Sequence, residues 1–202
     1  MSWAVSRFQA AESIDKIILV VAPEYLQYTG EHVVDPYGYT KVTKIVEGGA
    51  ARQESVFNGL KALPISTGYV AIHDGARALT RPEDIDAAVK LAIKERAAIV
   101  AEKATDTIKR VRDGYILSTL DRDSLYRAQT PQVFQYDLIM EAHRKVASST
   151  PDEAAAITDD ASLVEAQGFK VKVLEPSARN LKVTTEEDLK LVEALLQTEK
   201  EG

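Results

Sequence analysis

Three stretches of this chain concentrate the side chains that hold a phosphate group. Asp121 to Phe134 packs arginine, hydroxyl and amide donors into a segment that carries a proline and closes on Val133 and Phe134. His73-Asp74-Gly75-Ala76-Arg77 and Asn180-Leu181-Lys182-Val183-Thr184 add a carboxylate and two more cations. An anion needs fixed cations and donors of this kind, because charge-assisted hydrogen bonds are short and geometrically demanding.

Taken singly, each residue also has an ordinary structural reading. Asp74 follows a strand-like run and suits a ribose hydroxyl or a Mg²⁺–phosphate group, and Gly75 lets backbone approach a ligand; an Asp-Gly after a strand is equally a turn. Gly48-Gly49, followed by Arg52 and Ser55, presents free N–H groups at a helix start, yet no Gly-Lys-Ser/Thr follows to make a Walker loop. Thr158 precedes Asp159-Asp160 where a helix opens, and capping alone explains it. Lys182 sits inside the apolar run Leu181 to Val183, where a buried strand would need an anion to meet it. Arg122 and Arg127 read equally as surface charges. His73 is expected to be structural, since His32 and His143 are isolated and no second histidine lies at metal spacing. The ligands of any metal stay open.

The elements that must position these residues alternate. Strand-like runs occur at Ile17 to Ala22, Thr43 to Val46, Tyr69 to His73, Ala97 to Ala101, Phe169 to Leu174 and Leu181 to Val183. Apolar spacing of three or four marks helices over Ser2 to Ala11, Arg52 to Leu63, Pro82 to Glu95, Tyr136 to Val146, Asp159 to Gln167 and Thr185 to Thr198. This rhythm predicts a three-layer α/β sheet, largely parallel, whose ligands sit outside the C-terminal strand ends. Thr184 with Glu187 predicts a capping box, Gly168 a helix C-terminus, and Pro82 a first helical turn. Thr107 to Val111 and Tyr115 to Thr119 flank Asp113-Gly114, a hairpin turn. That two-stranded arm, within residues 104–121, is marginal alone and is expected to dock on a second subunit.

Composition narrows the field. The 202 residues make one domain with a real core, at 45% hydrophobic and 28% charged. A net charge of −6 argues against general nucleic-acid binding, so an anion must be held by a local cationic cluster. No apolar run is long enough to span a bilayer, so no membrane partner is expected, and the absence of cysteine fits the cytoplasm.

Seven blocks in order carry a resemblance: Gly48 to Val56, His73 to Arg77, Ala104 to Arg110, Thr119 to Arg122, Ala128 to Phe134, Ile157 to Ser162 and Asn180 to Thr184. From Ser2 to about Leu196 the chain resembles the 2-C-methyl-D-erythritol 4-phosphate cytidylyltransferases of the non-mevalonate isoprenoid pathway. The resemblance implies a Rossmann-like nucleotidyltransferase sheet, Mg²⁺ as cofactor, and CTP and a sugar-alcohol phosphate as substrates. It implies that Arg122 and Lys182 position the substrate phosphate for attack. Asp74, Arg77, Thr107 and Thr158 bind that substrate, and Gly49, Ser55, Asp74 and Gly75 line the nucleotide pocket. It also implies a homodimer whose arm crosses over, so that Thr107 and Arg122 serve the partner's site.

Two departures stand out. Ala78 replaces a proline common in the family. The family also opens with a strand and a glycine-rich loop carrying an arginine and followed by a lysine, whereas this sequence starts at the next helix and contains no Gly-x-Gly-x-Arg. A missing electrostatic donor costs about 10²–10³ in rate. An interior strand position without its strand leaves backbone groups unpaired. The expectation is slow turnover by this chain; a pentitol-phosphate cytidylyltransferase and a non-catalytic binding or dimerising module stay open as alternatives.

Overall fold

The computed structural model describes residues 1–147 and 157–201. Its elements run α1 (Ser2–Ala10), β1 (Ile17–Val21), α2 (Leu26–Thr29), β2 (Val42–Glu47), α3 (Arg52–Ala62), β3 (Tyr69–Ile72), α4 (Pro82–Glu95), β4 (Ala97–Lys103), β5 (Lys109–Arg112) and β6 (Tyr115–Thr119). They continue with β7 (Tyr126–Gln135), α5 (Tyr136–Ala147), α6 (Asp160–Glu165), β8 (Lys172–Leu174) and α7 (Glu186–Glu201).

The strands form a parallel pair, β1-β2, a four-stranded sheet in the order β3-β7-β4-β8, and the separate β5-β6 hairpin. In the larger sheet β7 opposes both neighbours while β4 and β8 run together, so three of its four strands share one direction. The reversal follows from the arm. The chain leaves the end of β4, goes out and back through the hairpin, and re-enters beside β4 as β7.

Side chains alternate across the sheet as a doubly covered layer requires. Ala98, Val100 and Val133 pack under Ala88, Val89 and Ala92 of α4. Ala97, Ile99, Ala101 and Phe134 face the other way, onto Leu60 of α3, Leu138 and Ile139 of α5, and Leu163 and Val164 of α6. This confirms the three layers.

Between β1 and β3 the sheet is parted. Those two strands share no ladder, and they border a cavity of about 760 Å³ lined by Ile17 to Val20, Tyr69 to Ile72, Phe8 and Leu60 among others.

Several local readings need correction. Leu181 to Val183 forms no strand; it is an extended segment fastened by the Val183 N–H to the Ala76 carbonyl, 2.9 Å. Thr158 is not a cap, because Asp159 and Ser162 exchange the capping bonds of α6. At α7 the box shifts by one residue: Thr185 Oγ1 accepts from the Asp188 N–H, and Asp188 Oδ2 accepts from the Thr185 N–H. Asp188 won over Glu187 because the helix starts one position later. Strand β7 escaped notice because its polar residues and Pro131 argue against a central strand. Pro131 falls where the β4 ladder shifts register, between the Ile99↔Gln132 and Ala101↔Ala128 pairs, so its missing N–H removes no bond there.

Other readings hold. Pro82 opens α4, and Gly168 has φ +82 just past α6. Asp113 and Gly114 have φ 51 and 82, the two left-handed residues of a tight hairpin.

Candidate active site

Asp74 stands just beyond the C-terminal end of β3 and organises the site. Its backbone N–H donates to Thr130 Oγ1 at 3.1 Å, and the Arg77 N–H closes a turn onto the Asp74 carbonyl at 2.9 Å. Three cations meet its carboxylate. Lys182 Nζ lies 3.0 Å from Oδ2, Arg77 Nε 3.7 Å from Oδ2, and Arg52 Nε 3.8 Å from Oδ1. Burial pushes the Asp74 carboxyl up, but the Lys182 hydrogen bond and charge, with Arg52 and Arg77, outweigh it and hold the group below its ordinary value. Arg52 also reaches Asp160, NH2 to Oδ2 at 2.8 Å. Three cations against two carboxylates leave one positive charge in excess. The Lys182 side chain is 44% exposed, so this charge faces arriving anions.

A neutral lattice holds the cations in place. Arg77 NH1 donates to the Asn180 carbonyl at 2.6 Å, Thr80 Oγ1 donates to Asn180 Oδ1 at 2.7 Å, and Asn180 Nδ2 donates to the Thr130 carbonyl at 2.7 Å. Asn180 is buried and so locks the segment carrying Lys182 against β7 and the loop after Asp74. His73 sits beneath. Its Nε2 lies 3.1 Å from the Arg77 carbonyl, which can only accept, so Nε2 carries the hydrogen and Nδ1 accepts from Thr130 Oγ1 at 3.0 Å. Burial pushes the His73 imidazole down to about 4. The structural reading of His73 holds.

Gly48 and Gly49 turn β2 onto the first turn of α3. The Gly49 N–H donates to Ser55 Oγ at 3.0 Å. A Cβ on Gly48 would meet Ser55 Oγ at 2.8 Å, and one on Gly49 would collide with Glu54 Cβ. Both glycines are therefore needed for close packing. Gly75 is less constrained here, since an added Cβ meets only the Met1 side chain, at 3.7 Å.

Asp74, Arg77 and Lys182 are thus brought together, with Ser55, Gly75, Arg52 and Asp74 bordering the mouth of the β1–β3 cavity. Thr107 and Arg122 are not among them. Thr107 is exposed in the arm, and Arg122 NH1 donates to the Thr105 carbonyl at 3.3 Å, while Lys182 pairs with Asp74. Thr158 is exposed just ahead of α6 and makes no recorded bond to the cluster. Sequence reasoning overlooked the Arg52–Asp160 pair. A signal existed: arginine at the first position of a helix opposes the positive end of the dipole and needs an external carboxylate.

Comparison with known proteins decides the family. Residues 1–198 match the family model described as IspD, 2-C-methyl-D-erythritol 4-phosphate cytidylyltransferase. The chain belongs to this family. A cytidylyltransferase of that name from Pelotomaculum thermopropionicum is 45% identical over 190 residues, covering 94% of this chain and 78% of the relative. Another from Caldanaerobacter subterraneus is 43% identical, covering 96% and 85%. The crystal structure of the 4-diphosphocytidyl-2C-methyl-D-erythritol synthase from Anaerococcus prevotii superposes with a TM-score of 0.86 at 32% identity, covering 97% of this chain and 85% of that one. Among cytidylyltransferases of this family the chain therefore shares both sequence and fold, including the mostly parallel sheet.

Proposed function

We propose that this chain transfers a cytidylyl group from CTP to 2-C-methyl-D-erythritol 4-phosphate. A phosphate oxygen of the acceptor bonds to the α-phosphorus, the bond from that phosphorus to the bridging oxygen breaks, and pyrophosphate departs with the electron pair. The products are 4-diphosphocytidyl-2-C-methyl-D-erythritol and pyrophosphate, a step of isoprenoid biosynthesis. The observation that carries this reading is the excess of cations on Asp74, where Lys182, Arg77 and Arg52 meet one carboxylate at a strand end.

The chemistry asks the protein to bring two anions together and to neutralise charge as it spreads, so positioning and electrostatics supply most of the rate. Lys182 and Arg77 suit the acceptor phosphate, and Asp74 keeps both aimed. By resemblance to the family, Gly49 and Ser55 would line the cytidine pocket, and Thr158 would meet the acceptor's hydroxyls. Among the described residues no group of three or more His, Asp or Glu forms a metal cage. The Asp74 carboxylate, whose Oδ1 meets only Arg52 among the described residues, at 3.8 Å, would be the protein group to hold a magnesium ion together with the nucleotide. When bound, the ion would neutralise phosphate charge.

The proposal includes a homodimer. Val111, Tyr115, Ile116 and Leu117 of the arm are all more than half exposed, an apolar surface that a second subunit would cover. Residues 104–121 then act as the dimerisation arm of a single domain, 1–202, and deliver Thr107 and Arg122 to the partner's site. Among the described residues no helix is long and apolar enough to cross a membrane. We place the enzyme in the cytoplasm.

Pyrophosphate release from CTP, Mg²⁺ and 2-C-methyl-D-erythritol 4-phosphate tests the reading. Lys182→Ala should slow it about 10²–10³-fold. Faster release with a pentitol phosphate would reassign the acceptor, and no release with either would leave a binding module.

A further inference from the structure

We propose that Asp160, buried away from the reacting atoms, is a positioning residue that fixes Arg52 as the nucleotide-side cation of this site. The inference rests on the cytidylyltransferase reading and gives Arg52 and Asp160 roles which that reading leaves unassigned. Asp160 opens α6 and is 0% exposed. A carboxyl group so buried needs partners that repay its lost hydration.

Two groups do so. His143 of α5 presents Nε2 to Asp160 Oδ1 at 3.1 Å, so that nitrogen carries a hydrogen and donates it. The ring of His143 is itself held parallel to Phe57 of α3, centroids 5.9 Å apart. The other oxygen, Oδ2, lies 2.8 Å from Arg52 NH2 as an ion pair outside hydrogen-bond alignment, so the compensation on that side is the charge of Arg52. Next to it, the Ala161 N–H donates to Gln132 Oε1 at 3.0 Å, and Gln132 Nε2 donates to Asp159 Oδ2 at 2.8 Å, which ties the start of α6 to β7. Asp160 is therefore fixed from three elements, and Arg52 is the one arginine or lysine paired with it among the described residues.

The Arg52 side chain, by contrast, is 38% exposed. It leaves the first turn of α3, where the helix dipole disfavours a cation, and its Nε comes within 3.8 Å of Asp74. Arg52 also borders the same opening as Ser55, Gly75 and Asp74. Its planar fork lets one nitrogen stay on Asp160 while others face an incoming phosphate or ribose. Without the buried carboxylate, the guanidinium would lose rotamer freedom at every binding event and would be repelled by the helix terminus. Asp160 removes both costs in advance.

The test is a double-mutant cycle on the full chain, read as KM and kcat for CTP and, without turnover, as the calorimetric Kd for CTP with Mg²⁺. Arg52→Gln should raise both KM and Kd for CTP about tenfold, with a much smaller change in kcat. Asp160→Asn should do nearly the same, and the double variant should be no worse than Arg52→Gln alone, because Asp160 acts only through Arg52. A general structural role would instead add to the Arg52 effect. Arg52→Lys keeps the charge and loses the fork, and should bind CTP as poorly as Arg52→Gln.

Additive effects in the cycle overturn the proposal, as does unchanged CTP affinity in Arg52→Gln. The latter variant changes a half-exposed residue, so it keeps the proposal falsifiable should Asp160→Asn not fold. Failure of the reaction reading shows separately, as absent pyrophosphate release by the unmodified chain while the Kd series still runs.

Discussion

At the scale of single residues, the site is governed by which charges are compensated. Asp74 is kept ionised by three cations, whereas His73, one residue earlier, is kept neutral by burial between the Arg77 carbonyl and the Thr130 hydroxyl. The histidine makes stability depend on pH. Its folded value lies at about 4 against 6.5 when free, so the unfolded chain binds more protons between those limits. Stability is then full above pH 6.5 and falls as pH drops toward 4, by on the order of 3 kcal/mol for this group. Urea unfolding midpoints measured across that window should decline, and His73→Gln should flatten the slope. A decline beginning only below pH 4 would point to Asp74, whose depressed carboxyl loses its contribution there. Asp74 was legible in the sequence because a polar residue ending an apolar strand must face the strand-end crevice. The lattice around Asn180 was not, because a buried amide looks like any other asparagine until its partners are known.

At the scale of elements, local signals placed most segments and erred where two neighbours competed. The α4 boundaries agree with the apolar period and with Pro82, and the Asp113-Gly114 turn made the hairpin readable. The cap of α6 passed from Thr158 to Asp159, whose carboxylate accepts from the Ser162 N–H at 3.0 Å while Ser162 Oγ reaches back. Asp159→Ala should therefore lower stability by roughly 1 kcal/mol, and Thr158→Ala should leave it nearly unchanged. Equal losses would return the cap to Thr158. The turn from β2 into α3 makes a further demand. Gly49→Ala must displace Glu54, whose carboxylate accepts from the Ala50 N–H at 2.8 Å, so it should cost about 1–3 kcal/mol by thermal unfolding.

At the scale of the whole molecule, two features shape behaviour. The first is the parted sheet. β1 and β3 each pair on one side only, while β4 and β7 are flanked on both. Amides of Ile17 to Val21 and Tyr69 to Ile72 should exchange hydrogen faster than those of Ala97 to Ala101 and Val133 to Phe134. Uniform protection would mean the cavity between β1 and β3 does not weaken its walls. The second is the arm, at whose end Arg122 pairs with the Thr105 carbonyl while Lys182 pairs with Asp74. If each site draws Arg122 from one subunit and Lys182 from the other, mixing inactive Arg122→Ala and Lys182→Ala chains should restore about a quarter of the unmodified activity, since half the dimers would hold one intact site. No recovery after subunit exchange would confine each site to one chain.

The sequence by itself determined the alternation of strands and helices, the hairpin, the position of Asp74 at a strand end, and the family. These depend on period, turn chemistry and motif order, which act over a few residues or are read in line. Only the tertiary structure decided the reversed direction of β7, the extended form of the Lys182 segment, the gap beside β3, and the union of Arg52 with Asp160 and His143. Those depend on which distant surfaces are buried together. A carboxylate drawn out of water at residue 160 selects its cation by proximity in the packed core, and no local pattern encodes that distance.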